Sequence, residues 1–396
     1  MDKKRILILG AGVHQLDIIK TAVNAGCHVI TLDYLPDNIG HKYSHQFVNC
    51  STVDIDGVLK HAKDLQIDGI CTACSDIALP TVAHVGTELG LKVVPPSVAE
   101  TVTYKESFRD FQKSSNLSHP GFVWGSSFDE LIAGLEKLTY PIVFKPTDRS
   151  GSRGVCMIRE FSVDECRNAF DDAKKFSRRG IVIAEEYVKG IDVSGDAFLR
   201  DGKILFCGIT RKMLRNFVPT GHMLPTDISE AEQSLLKQEL QKTCTMINYL
   251  DGPLDIDAKI LPGKVVIIEM AVRCGGNGIV PLMRRGFGAD LSLATIQHSL
   301  GEKADIPHRD VPNGSASMMI IPEKSGTFYD TIDEKELKKI VPEVFQLLIS
   351  VKSGEEIPPF QHSGNIIGLA LFDCQKYEDY SILSKKIYSS LKINIR

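Results

Sequence analysis

Over its first hundred residues the chain alternates short apolar runs with amphipathic stretches. Arg5–Leu9 is an apolar run ending in Gly10-Ala11-Gly12, residues 15–25 repeat apolar side chains at helical spacing, and 29–32 is a second apolar run ending at Asp33. Two further strand-like runs, 69–71 and 92–94, each follow a helical segment, at 54–65 and 78–89. Strand–helix alternation of this kind predicts a parallel sheet with right-handed crossovers.

After Pro95-Pro96 the pattern changes. Residues 97–114 read as one helix, and 140–144 as a strand entering a loop of small and basic residues at 147–154. A short strand at 155–159, a helix over Val163–Phe176 and a strong strand at 181–185 follow, then a hairpin turning at Pro262-Gly263. Strands interrupted by helices and closed by a hairpin predict an α+β unit with antiparallel sheets. The remaining chain reads as a small separate α+β cap with strands at 315–321 and 364–372 and a helix at 380–391. The expected organisation is therefore three units, at 1–100, 101–300 and 301–396.

Composition narrows the class. At 396 residues the chain is too long for one compact core, and 43% hydrophobic with 24% charged residues is ordinary globular usage. Lys and Arg number 46 against 50 Asp and Glu, a formal net charge of −4, and no long basic run offsets it. That argues against nucleic acid as a partner. The apolar runs are strand-sized, which argues against a membrane partner, and Lys3, Lys4 and Arg5 lead straight into the first strand with no secretory signal. Ten cysteines are scattered along the chain, and the Cys71/Cys74 pair has no answering pair or histidine cluster, so free thiols in the cytoplasm are expected.

Five segments can carry chemistry. Gly10-Ala11-Gly12 with Asp33 sits where a dinucleotide fingerprint would, but the third glycine position is Gln15. Lys145, at the end of an apolar strand, precedes a loop whose backbone amides and Arg149 or Arg153 can close over polyphosphate. The strand at 181–185 runs into acids, which suit the edge of a base and ribose hydroxyls. In the hairpin, a three-residue loop Pro262–Lys264 pairs Ile260 with Val266 and sets Asp257 opposite Glu269, with Asp255 on the same face. Like charges across a strand pair repel, so a divalent cation bridging to phosphate is one resolution, and neutralising lysines or a slipped register are the others. Finally, Arg273 lies four residues past Glu269 and just before Gly275-Gly276, where it can meet a phosphoryl group or a carboxylate.

The order of these features resembles the ATP-grasp superfamily, in its carboxylate–amine ligase branch, which includes amino-acid ligases and carbamoyl-phosphate-synthase-like proteins. The resemblance rests on Lys105, Lys145-Pro with its Gly/Ser/Arg loop, Glu-Glu-Tyr-Val-x-Gly at 185–190, Asp257 twelve before Glu269, then Arg273 and the Gly-Gly pair, and it spans nearly the whole chain. It implies a mixed α/β and α+β fold: a Rossmann-like N-terminal domain, a central ATP-grasp fold of two α+β subdomains with a lid at about 115–188, and a small α+β cap. By position it implies that Lys105, Lys145 and Lys212 touch nucleotide phosphates, with Ser150, Gly151, Ser152, Arg153 and Gly154 in the loop closing over them. Glu185, Glu186 and Val188 would meet the adenine edge and Asp192 the ribose, Asp257 and Glu269 would ligate Mg²⁺ or Mn²⁺, and Arg273 would steady an acyl phosphate, with Lys145 and Arg153 assisting catalysis.

The activity so implied is ligation of a small carboxylic acid to an amine with ATP, releasing ADP and phosphate. Ala271 departs from the asparagine often found two residues after the second acid, and Asp257 from the commoner glutamate. A nicotinamide-dependent oxidoreductase using the N-terminal turn, or a non-catalytic ATP-binding protein, are the competing readings. The oligomeric state is left open, a homodimer included.

Overall fold

The computed structural model describes residues 3–396. The N-terminal unit is a parallel sheet in which Arg5–Leu9 lies between His28–Asp33 and Gly69–Thr72, with Gln46–Asn49 outermost beside His28–Asp33. Residues 92–94, expected as a strand, are irregular, and the fourth strand is Gln46–Asn49 instead. That strand has only Val48 buried, so it carries almost no apolar signal.

The expected helix 97–114 is two helices, Pro96–Thr103 and Lys105–Ser114, because Tyr104 adopts extended backbone (φ −99°, ψ 121°). This break makes Lys105 the first residue of the second helix. A four-stranded antiparallel sheet follows, with Val182–Glu186 between Phe122–Gly125 and Ile142–Pro146, and Cys156–Ile158 at the edge.

The largest sheet has eight strands, and it fuses the central unit to the C-terminal one. Lys264–Ala271, Gly252–Leu261, Ile191–Arg200, Lys203–Arg215 and Val218–Leu224 run side by side, and Ser315–Ile320, Gly368–Asp373 and Val344–Ile349 continue the same ladder. The cap expected to stand apart thus shares its principal sheet with the centre. Residues 364–367, expected to be strand, are loop.

One apolar core also crosses all three units. Ile6, Ile8, Ile18 and Ile19 pack with Leu282, Met283, Leu291 and Ile296, and with Met319, Leu369 and Leu371. A polar clamp lies beside it: Arg284 donates Nη1 and Nη2 to Asp17 (2.8 and 3.0 Å) and Nε and Nη2 to Asp290 (3.0 and 2.8 Å), while Ser292 Oγ donates to Asp17 Oδ2 at 2.6 Å. Because Asp17 and Arg284 are part-buried and charged, Arg284→Ala should lower stability by about 1.5–3 kcal/mol, read as a lower urea midpoint.

Candidate functional site

A cavity of about 510 Å³ opens where the four-stranded sheet, the eight-stranded sheet and the N-terminal unit meet. Every site residue expected from the sequence lines it except Gly154, which stands back against Phe176. The segments that deliver them are strand ends, a helix start and turns. Lys105 opens its helix, Lys145 and Glu185 lie on neighbouring antiparallel strands, and Asp192, Lys212, Asp257 and Glu269 lie on successive strands of the large sheet.

The hairpin reaches the expected pairing by a different route. Its turn is tighter than a three-residue loop: Leu261 faces Lys264, and Ile260 faces Val265 rather than Val266. A bulge between Asp257 and Ala258 absorbs one residue, and Asp257 still falls opposite Glu269. The repulsion expected between the two acids is answered by lysines. Lys212 Nζ lies 2.6 Å from Asp257 Oδ2, and Lys105 Nζ lies 3.1 Å from Glu269 Oε1. Ser194 Oγ also donates to Asp257 Oδ1 at 2.6 Å.

Burial opposes charge at each of these groups, and the neighbours decide the outcome. At Asp257 burial raises the pKa, but Lys212 and Ser194 outweigh it and the net shift is downward. At Lys212 and Lys105 burial is overcome by Asp257 and Glu269, and both rise. At Lys145 burial prevails: although Glu185 Oε2 is 2.6 Å away, Arg109 adds like charge and the ammonium pKa falls. Glu185 sits between the two cations, with Arg109 Nε at 2.8 Å from Oε1, and their charge outweighs burial to hold its carboxyl low.

Arg109, Lys259 and His222, in or behind the wall, were not singled out from the sequence, and of these only Lys259 lines the cavity itself. Arg109 is fully buried and donates to Ile268 O at 2.7 Å, tying the helix after Lys105 to the hairpin. Lys259, two residues past Asp257 and therefore on the same strand face, ion-pairs with Asp192 at 2.6 Å. That period-2 spacing was a legible signal. His222, fully buried with its pKa pushed by burial to about 3, is a neutral imidazole whose Nδ1 meets Thr210 Oγ1 at 3.1 Å behind Lys212.

Arg273 enters the cavity already engaged. Nε and Nη2 donate to Asp76, Nη1 donates to Asp255, and Nη1 also donates to Cys274 O at 3.2 Å. Four of its five N–H groups are therefore committed, leaving one on Nη2. Beyond Asp255, Asp196 faces it in register and accepts from Gly275 N at 2.9 Å. Burial lifts the Asp255 carboxyl to about 6 and Asp196 well above its usual range.

The loop at 147–154 is folded onto the cavity. Lys105 Nζ donates to Arg149 O at 2.8 Å, Ser152 Oγ to Phe217 O at 2.9 Å, and Ser363 N to Gly151 O at 3.1 Å. Gly151 has φ +74°, and a Cβ there would meet Ser363 Oγ at 2.1 Å, so the loop touches the C-terminal unit only because this residue is glycine. Arg149 Nε donates to Phe176 O and Arg153 Nη1 to Ser150 O, and neither has a carboxylate partner among the described residues. At the far end, Tyr187 N is bonded to Pro141 O and Glu186 N to Gly121 O.

The N-terminal Gly-Ala-Gly turn does not offer a dinucleotide site. Gln15 folds back over Gly10, within 3.2 Å of where a Cβ would stand, and donates Nε2 to Ala73 O at 2.7 Å. Asp33 accepts from Ala11 N and Leu35 N, so the acid expected at a ribose is spent on the turn itself.

The profile of the ATP-grasp domain matches residues 138–280. Over 335 residues the chain is 24% identical to the formate-dependent phosphoribosylglycinamide formyltransferase of Parasynechococcus marenigrum (strain WH8102), covering 80% of this chain and 81% of that protein. It is 22% identical to the alanine–anticapsin ligase of Bacillus subtilis (strain 168), covering 64% of this chain and 58% of that one. The L-amino acid ligase structure from Bacillus licheniformis superposes with a TM-score of 0.85 at 20% identity over the whole of both chains, which is the same fold. Residues 138–280 are thus an ATP-grasp domain, and over most of its length the chain is similar to ligases of the carboxylate–amine branch.

Proposed function

We propose that the protein is an ATP-dependent ligase that joins a small carboxylic acid to an amine through an acyl phosphate, releasing ADP and phosphate. The observation that carries this reading is the cavity's charge arrangement. Lysines from three separate segments and a facing carboxylate pair line one cavity, with a glycine-rich loop folded onto it. Such a wall suits a polyphosphate, and its thiol, Cys74, is no activated nucleophile: Sγ is bonded to the His14 and Gly275 carbonyls and burial raises its pKa.

Asp257 and Glu269 fit a magnesium ion. They are hard oxygen ligands on one face, opposite one another, and Glu269 Oε2 makes no bond among the described residues. No further His, Cys, Asp or Glu completes a three-residue cluster among the described residues, and Ala271 adds none. That agrees with Mg²⁺, which usually takes one or two carboxylates and fills its shell with water and phosphate oxygens. Bound there, the ion would neutralise charge on the transferring phosphates.

The chain's own residues do the rest. Lys105, Lys145 and Lys212 hold the β- and γ-phosphates, while Glu185–Val188 and Asp192 receive the adenosine end. A carboxylate oxygen of the acid substrate attacks the γ-phosphorus, and the bond to the β-phosphate oxygen breaks with the electron pair leaving on ADP. The amine nitrogen then attacks the acyl carbon, phosphate departs, and the amine proton passes to phosphate or solvent. Arg273, held in plane by Asp76 and Asp255, offers its remaining Nη2 hydrogen to the acyl phosphate. Positioning and charge neutralisation supply the rate, because phosphoryl transfer asks little else of a protein.

Two outcomes test this. With MgATP and a panel of carboxylic acids, hydroxylamine in place of the amine should trap a hydroxamate with ADP formed in step, and AMP as the product would refute it. Glu269→Ala should lower ADP formation by about a hundredfold or more while changing stability by no more than about 1 kcal/mol, since its ion pair with Lys105 is part-exposed. Full Mg²⁺-dependent turnover in that variant would sink the metal assignment.

A further inference from the structure

The hairpin Lys203–Arg215/Val218–Leu224 turns through only two residues, Asn216 and Phe217, with Arg215 opposite Val218. Both have left-handed backbone, φ 50° and 66°. A two-residue turn of this kind favours asparagine at the first position and glycine at the second. Asn216 fits, whereas Phe217 puts a bulky ring where an L side chain is disfavoured.

Core packing does not account for the ring. Among the described residues Phe217 belongs to none of the apolar clusters, and it lines the cavity instead. It stands edge-on to Tyr187, with centroids 6.0 Å apart and planes at 76°, and Tyr187 in turn carries Lys259 Nζ 5.1 Å from its centroid. The Phe217 carbonyl accepts from Ser152 Oγ at 2.9 Å, the loop's one side-chain bond to this hairpin. Ser152 is itself left-handed, at φ 61°. Strain retained at adjoining contacts around a cavity points to function rather than to stability.

We propose that Phe217 is a positioning and specificity residue. Its ring and Tyr187 wall the adenosine end of the nucleotide, and its carbonyl is the post on which the loop at 147–154 docks. One residue thereby couples enclosure of the base to closure over the phosphates. The inference rests on the nucleotide reading above, and the experiment separates the two.

Phe217→Gly removes the ring while relaxing the turn. It should keep or raise Tm, weaken MgATP binding by calorimetry by roughly tenfold, and raise by about the same factor the MgATP concentration needed to protect Arg149 and Arg153 from trypsin. A ring serving stability alone gives the opposite pattern: a lower Tm, with affinity within about twofold of the parent and protection intact. That result overturns the proposal. Ser152→Ala, which keeps the ring, should lose protection while retaining most of the affinity, and full protection there refutes the docking role. If Phe217→Gly does not fold, Phe217→Asn, a residue that tolerates the same backbone, is read in the same way. Failure of the unmodified protein to bind MgATP overturns the nucleotide reading and this inference together. Tight binding by the parent with unchanged binding by Phe217→Gly overturns this inference alone.

Discussion

The cations buried around the cavity are each paired with a carboxylate from a distant part of the chain, and the arrangement of the three units follows from that pairing. Lys105 pairs with Glu269, Lys145 and Arg109 with Glu185, Lys212 with Asp257, Lys259 with Asp192, and Arg273 with Asp76 and Asp255. At the fully buried Arg109–Glu185 pair, removing one partner leaves an uncompensated charge that costs about 3–5 kcal/mol, whereas the part-exposed Lys105–Glu269 pair is worth far less. The helix that opens at Lys105, the sheet ending at Lys145 and the hairpin are therefore held in one relation by their charges. Arg273–Asp76 does the same for the N-terminal unit. These pairs specify geometry more than they add stability, because taking both charges from water offsets most of their attraction.

Legibility followed how locally each feature is encoded. The hairpin acids, Lys145 and the glycine-rich loop were found because strand alternation and turn chemistry act within a dozen residues. Even the wrong turn length at Pro262-Gly263 did not displace Asp257 from Glu269, since the bulge restored the register. The break at Tyr104 was hidden, because nothing in 97–114 marks a helix boundary and tertiary contacts decide it: Lys105 N is bonded to Thr147 O. The strand Gln46–Asn49 was missed because it is mostly exposed, and fusion of the cap to the central sheet because pairing partners distant in sequence leave no local mark. Arg109 carries no local signal of its role, because only the fold brings Glu185 to it.

The N-terminal turn shows how one short motif can be kept for shape alone. Gly10 and Gly12 leave room for a tight passage after the first strand, and Gln15 and Asp33 then fill and tie that passage with their own side chains. What the turn exports is His14, which reaches the cavity wall beside Cys74 and Asp76. The domain thus contributes a wall to the shared cavity, and its geometry lends no support to an oxidoreductase.

The paired state of the cavity also sets the terms on which a polyphosphate can enter. With Lys105, Lys145 and Lys212 each neutralised within the chain, the positive charge on the wall that meets no carboxylate among the described residues is carried by Arg149 and Arg153, both on the docked loop of small residues. Phosphate oxygens that draw Lys105 and Lys212 away from Glu269 and Asp257 would leave an acid pair facing itself, which is repulsive. On the function proposed above, nucleotide and divalent cation would be coupled by electrostatics: the first would draw on the lysines, and the second would suit the carboxylates those lysines leave. Lys145 differs, because Glu185 is also held by buried Arg109 and stays compensated when the ammonium turns to phosphate. Arg109, which touches no part of the cavity, is thus the residue that frees Lys145 to serve it.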